Sequence, residues 1–102
     1  MALFLIEHRH TDETCPTHNL DMVRALCTHV TRENAERYGV KLLADWVNEP
    51  EHRVIFVVEA EEQGLVDRFA GPFGRVGEVT VTQGLTCERV AIDCLSSEPD
   101  RS

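Results

Sequence analysis

The sequence predicts one α+β domain whose elements follow the order strand, helix, strand, strand, helix, strand. Two predicted strands, 2–10 and 53–60, each contain five consecutive apolar residues, at 2–6 and 54–58, as is typical of central strands that are covered on both faces. A third segment, "GEVTVTQG" at 77–84, alternates apolar and polar residues, which indicates a strand with one buried face. With 102 residues, of which 42% are hydrophobic, the chain can bury a single core.

The first strand, Ala2–His10, presents two rows of side chains because successive residues of a strand point to opposite faces. The rows are Phe4, Ile6, His8 and His10 on one face, and Leu5, Glu7 and Arg9 on the other. Asn19 is a suitable N-cap for the helix that follows. Its apolar row, expected to face the core, consists of Leu20, Val23, Cys27 and Val30. Thr31 can cap a second short helix that ends at Gly39.

The middle of the chain is predicted to form a pair of strands joined by a turn. We expect the second strand at 40–48 to place Leu42, Ala44 and Trp46 on one face. The segment "NEPEH" at 48–52 is typical of a hairpin turn, and His52 is assigned to that turn. The third strand, "RVIFVVEA", follows at once.

The last third predicts one more helix and one more strand. Val66, Phe69 and Phe73 mark the helix, which Pro72 and Gly74 terminate before the alternating strand. The segment "TCERVAIDCL" is ambiguous and is compatible with a short helix. Positions 96–102 have the composition of a solvated tail, so the predicted domain spans 1–95.

This order is that of the ferredoxin-like arrangement, βαββαβ, with a four-stranded antiparallel sheet whose first and third strands are central. We expect the third strand to run parallel to the first, which would place Glu59 near His8, and Glu78 to begin the fourth strand there. Two helices cover only one sheet face, yet the first three strands are apolar on both faces. The uncovered face therefore predicts a face-to-face homodimer.

Composition limits the range of partners. A formal charge of −8 argues against nonspecific binding to nucleic acid or to an anionic membrane surface. The initial run "MALFLI" is too short for a signal peptide, and no stretch approaches a membrane span, so a cytoplasmic location is expected. Without a secretory signal, the four cysteines are expected to be thiols or ligands.

The segment "IEHRHTDETCPTHN" at 6–19 concentrates residues that bind metals. His8 and His10 share one strand face, and Cys15 and His18 follow on the loop before the first helix. Three imidazoles and one thiolate suit zinc best, and nickel, copper or iron are possible. The segment therefore predicts a transition-metal site, zinc or nickel, formed by His8, His10, Cys15 and His18.

Other interpretations of the same residues remain open. His8 and His10 can be pocket histidines that the backbone or Glu59 satisfies, with Cys15 an ordinary loop residue. In a small-molecule pocket, His8 or His10 can act as an acid or base, and Cys15 near a helix start can be a reactive thiol. Because the residues do not separate these roles, the sequence does not decide whether the protein is an enzyme.

Several segments together resemble a known family. They are "IEHRH", the following "CP", "YGVKLLADWV", "HRVIFVVEA" and "VDRFAGPFGRVGEVTV". From Ala2 to about Cys87 the chain is similar to small bacterial proteins grouped as a domain of unknown function within the dimeric α/β-barrel superfamily, and more distantly to actinobacterial nickel-binding ferredoxin-like proteins. The resemblance implies a ferredoxin-like dimeric barrel with a pocket between the sheet and its helices or within the barrel. That superfamily also includes monooxygenase-like and stress-response dimers, and His8, His10 and Cys15 match its motif here.

Overall fold

A computed structural model describes residues 1–13, 15 and 19–97. Its four strands form one antiparallel sheet in the order β2-β3-β1-β4. The strands are β1 (Ala2–Arg9), β2 (Val40–Asn48), β3 (Arg53–Ala60) and β4 (Glu78–Gly84). The helices are α1 (Leu20–His29), α2 (Arg32–Arg37), α3 (Gln63–Ala70) and α4 (Cys87–Ser97), and a 3₁₀ turn spans Gly71–Arg75. The predicted ferredoxin-like α+β fold is confirmed.

Local sequence signals set the helix ends. The side chains of Asn19 and Thr31 accept hydrogen bonds from the backbone N–H groups of Met22 and Asn34, both at 3.1 Å, and so cap α1 and α2. Gly39 ends the second helix with a φ of 75°, a left-handed conformation that residues with a Cβ rarely adopt. The ambiguous segment after β4 is helical. The helix α4 includes Ser96 and Ser97, the first two residues of the predicted tail, and positions 98–102 lie outside the described residues.

The core lies between the sheet and its helices. On β1, the predicted row is confirmed, since Phe4, Ile6 and His8 are all buried. From the helix side, Val66 and Phe69 close this core. None of the described helices is long and apolar enough to cross a membrane.

The direction of β3 differs from the prediction. β3 is antiparallel to β1, so Glu59 pairs with Leu3, at the end of β1 far from His8. The connection through α1 and α2 returns the chain parallel to β1, and the hairpin that follows then reverses it. The β2–β3 turn consequently lies beside the end of β1, where Arg9 pairs with Arg53. Glu78 pairs with Arg9 there as well, as expected.

A β-bulge in β2 changes which residues face the helices. The register shifts between Leu42 and Ala44, so Ala44 and Trp46 share the open face rather than the face of Leu42. Asp45 and Val47 point to the helix side instead, opposite Phe56 and Val54 of β3. The prediction of one common row for Leu42, Ala44 and Trp46 was therefore wrong.

The other face of the sheet carries an apolar strip with charged residues at one end. The strip consists of Leu3, Leu5, Leu43, Ala44, Trp46, Ile55 and Val57. Leu5 and Trp46 expose 37% and 45% of their surface. At the end of the strip, Arg53 pairs with Glu7 at 3.2 Å and lies over the Trp46 ring. An apolar centre with a polar rim is the usual composition of a protein interface.

Candidate metal centre

Three side chains converge where β1 ends. His10 directly follows β1, Cys15 lies in the loop before α1, and His52 closes the β2–β3 turn. One potential ligand atom from each lies within 4.8 Å of the other two. The ring centroids of His10 and His52 are 5.0 Å apart, and Cys15 is buried. The structure therefore brings together His10 and Cys15 from the predicted set, and adds His52.

The backbone of His52 adopts an uncommon conformation. Its φ is 54°, in the left-handed region that is unfavourable for residues with a Cβ. Two contacts hold it there. His10 donates its backbone N–H to the His52 carbonyl oxygen at 3.1 Å, and His52 Nε2 lies 2.7 Å from Asp12 Oδ1. Left-handed non-glycine residues concentrate at functional sites, where surrounding contacts hold the strained conformation in place.

Asp12 also determines which nitrogen of His52 is left for a ligand. Because the carboxylate occupies Nε2, the buried Nδ1 remains, and it makes no well-formed hydrogen bond among the described residues, although the His52 ring interacts with the Cys15 side chain. A carboxylate on the outer nitrogen is the usual support of a metal-bound histidine, since it fixes the tautomer and the ring orientation. Hydrogen bonding to Cys15, followed by the contact with Asp12, raises the pKa of His52, while desolvation partly opposes this effect.

His8 lies behind this group. It is completely buried, with its ring centroid 5.1 Å from those of both His10 and Phe73. Burial, and then the nearby His10, lower the pKa of His8 to about 4, although backbone groups of Val76 and Phe73 act in the opposite direction. Neither ring nitrogen has a well-formed hydrogen bond to the described residues. His8 is therefore a neutral imidazole at physiological pH.

Like His8, His10 has a lowered pKa, but His10 belongs to the group formed with Cys15 and His52. Burial and the neighbouring His52 lower its pKa, and its Nδ1 is buried without a hydrogen-bond partner among the described residues. Neutral imidazole is the form that binds metals. His8 and His10 are thus two neighbouring neutral histidines, and the buried Nδ1 of His10 has no hydrogen-bond partner among the described residues, which is costly unless a ligand pairs with it.

Gly77 is required by the packing around His8. A Cβ at this position would lie 2.2 Å from the carbonyl oxygen of Arg9 and 2.7 Å from His8 Nε2. Real Cβ atoms do not approach other atoms so closely, so only glycine permits this contact between the start of β4 and the end of β1.

The remaining sequence predictions for the site have different outcomes. His18 lies outside the described residues, so its predicted role stays a prediction. Cys27 was expected in the core but is exposed, because α1 is only partly packed against the core and Cys27 lines the cavity beside it. His52 was assigned only to the turn. An antiparallel β3 would have placed that turn beside His10, so correct strand direction was the signal that could have found it.

A cavity of about 590 Å³ opens between α1 and the sheet, next to this group. Its lining includes the three site residues and His8, together with Cys27 and the carboxylates of Asp45 and Glu49. The apolar lining residues are Val23, Leu26, Val30, Val47, Val54, Phe56 and Phe73. The geometry is that of a small-molecule pocket with its polar atoms gathered at a potential metal site.

Fold and site together define a ferredoxin-like α+β protein with a histidine- and cysteine-bearing pocket. The chain belongs to the family described as Domain of unknown function (DUF3303), whose model matches residues 3–92. The predicted membership in such a family is confirmed. No curated protein matches the chain.

Two solved structures are similar to this chain. A crystal structure described as an antibiotic biosynthesis monooxygenase is 16% identical, with a TM-score of 0.49, and the match covers 84% of this chain and 98% of that one. A dimeric ferredoxin-like protein from an uncultured marine organism is 11% identical, with a TM-score of 0.41, over 85% of this chain and 95% of that one. Both are likenesses of fold at low identity.

Proposed function

We propose that this protein binds a transition metal ion, zinc or nickel, through His10, Cys15 and His52. The observation that carries the proposal is the convergence of three donor atoms within 4.8 Å of one another. The buried Nδ1 atoms of His10 and His52, neither of which makes a well-formed hydrogen bond among the described residues, supply two suitable nitrogens. The proposal retains His10 and Cys15 from the predicted set, adds His52 and leaves out His8, while the predicted role of His18 stays a prediction.

The observed spacing is compatible with a tetrahedral ion. Zinc bonds of about 2.0–2.3 Å hold ligand atoms roughly 3.3–3.8 Å apart, so shifts of about 1 Å suffice to close the group around an ion. Two nitrogens and one sulfur suit zinc, and nickel also accepts such donors. Metal binding would release the proton from Cys15 and from His52, since both bind as the deprotonated form.

Elemental analysis of the protein purified without a histidine tag tests this function. We expect about one zinc or nickel ion per chain, since a thiolate and two imidazoles bind such ions tightly. Cys15→Ser and His52→Ala should each lower occupancy strongly, whereas the control Cys87→Ser, at an exposed position of α4, should not. Less than about 0.2 ion per chain, with no uptake on reconstitution, would contradict the proposal.

A second candidate is a metal-independent pocket for chemistry on a small molecule. The observation that favours it is the cavity lined by unprotonated imidazoles, which can accept a proton, although a pKa of about 4 makes His8 a weak base at neutral pH. His10 can take the same role, and Cys15 can serve as a reactive thiol. Rapid alkylation of Cys15 by iodoacetamide in metal-free protein, unaffected by added zinc, would favour this candidate over the metal site.

We further propose that the open sheet face forms a homodimer. Complete burial of a Leu, Ile or Val side chain stabilises by about 1.5–3 kcal/mol, and the strip offers seven apolar residues against an association cost of roughly 4–15 kcal/mol. Light scattering at micromolar concentration should give twice the mass of the chain. Leu5→Glu, in the strip, should yield monomers, and Ala25→Glu, exposed on α1, should not. A monomeric wild-type protein would refute this assembly.

A further inference from the structure

The apolar face of α1 is only partly covered: Leu26 packs against the edge of the core. None of the ten described residues of α1 is buried, although Val23 and Leu26 face the cavity. Across the cavity, Val47 keeps 59% of its surface exposed, while Val54 and Phe56 continue the wall. The cavity between these two apolar walls has a volume of about 590 Å³, which is the usual size of a site for a small organic molecule.

The β-bulge in β2 creates one of these walls. Without the register shift after Leu42, Val47 would point to the open sheet face, and Trp46 would fill the helix side. With the shift, a small side chain lies where a large one would have closed the space under α1. Bulges often redirect side chains beside functional sites.

The polar residues of the cavity restrict the kind of molecule that fits. His10, Cys15 and His52 lie together at one place, where the proposed ion would bind, and His8 lies behind His10. The charged groups in the lining are the carboxylates of Asp45 and Glu49, both exposed, and they disfavour an anionic ligand. A neutral molecule with an apolar body and one nitrogen or oxygen donor matches both regions.

We propose that this cavity binds such a neutral, mainly apolar molecule, whose single donor atom occupies the fourth coordination position of the ion held by His10, Cys15 and His52. The inference rests on the proposed metal site. Three protein ligands with one open position are typical of zinc sites that bind a water or a substrate. The apolar walls then provide the affinity, and the ion fixes the orientation of the bound molecule.

Cobalt-substituted protein tests the inference, with 4-phenylimidazole and imidazole as probes. Cobalt uptake is measured first by its d–d absorption, and each probe is then titrated. Because the phenyl ring would be buried between α1 and β2, 4-phenylimidazole should bind about 10- to 100-fold more tightly than imidazole. Val47→Ser should reduce this preference several-fold, whereas Val90→Ser, on α4 outside the cavity, should leave it unchanged.

The outcomes distinguish the inference from the function on which it rests. If cobalt binds but neither probe changes its spectrum, or both probes bind equally, the pocket inference is wrong and the metal site stands. If Val47→Ser and Val90→Ser behave alike, the molecule does not lie in this cavity, and the inference is equally wrong. If cobalt does not bind, both proposals fail together.

Discussion

Acidification should destabilise the protein through His8. In the fold its pKa is about 4 because the ring is buried, against an ordinary value of 6.5 in the unfolded chain. A lowered pKa means that the unfolded state binds a proton more readily than the folded state, so this contribution to stability is intact above about pH 6.5 and is lost as the pH falls toward 4. Each pKa unit corresponds to about 1.4 kcal/mol, so the loss is about 3 kcal/mol.

The assay is urea unfolding of metal-free protein at several pH values between 7.5 and 4, compared with His8→Leu. Acidic and basic groups remote from His8 contribute equally to both proteins, so the difference in pH dependence reports His8 together with its coupling to His10. Wild type should lose about 3 kcal/mol more than the variant over this range. The comparison uses only the change in the free energy of unfolding with pH, so a difference in absolute stability between the two proteins does not affect it. Parallel curves for the two proteins would refute a buried neutral His8.

Three further predictions concern individual side chains. Gly77→Ala should lower the free energy of unfolding by about 1–3 kcal/mol through overpacking, whereas Gly74→Ala, with no atom within 4 Å of the new Cβ, should not; equal effects would contradict this. His29→Ala should cost about 1–3 kcal/mol in urea unfolding, since Nε2 donates to the Phe69 carbonyl at 2.6 Å; an unchanged midpoint would show that this bond is dispensable. His52→Gly should remove the strain of the left-handed conformation, so the free energy of unfolding should be preserved while metal occupancy falls. Unchanged metal occupancy in this variant would exclude His52 as a ligand.

The fold followed from the sequence because the strands of this chain carry unusually clear patterns. Apolar runs and capping residues located most of the elements, and the alternation on β1 placed His8 and His10 on one face. The main error in the predicted fold was the direction of β3, which is antiparallel to β1 and not parallel to it. Residue patterns identify a strand but not its neighbours, so Glu59 was placed at the wrong end of β1.

The site could be located from the sequence only in part, because it is assembled from distant segments. His10 and Cys15 are close in sequence. His52 is distant in sequence and lies beside them because the neighbouring Arg53 pairs with Arg9. A β-bulge depends on packing between strands, so the sequence did not predict the one in β2. The predicted row therefore placed Trp46 on the helix side, where it would have filled the cavity. Cys27 was misassigned for a related reason, since helical periodicity gives the apolar face but not whether that face is covered.

Cobalt titration of the metal-free, reduced protein tests the metal site most directly, because one spectrum reports stoichiometry, geometry and the sulfur ligand. We predict one ion per chain with tetrahedral d–d bands and a thiolate-to-cobalt charge-transfer band. The charge-transfer band should disappear in Cys15→Ser and persist in the control Cys87→Ser. The absence of saturable binding, or a charge-transfer band that survives in Cys15→Ser, would contradict a metal centre formed by His10, Cys15 and His52.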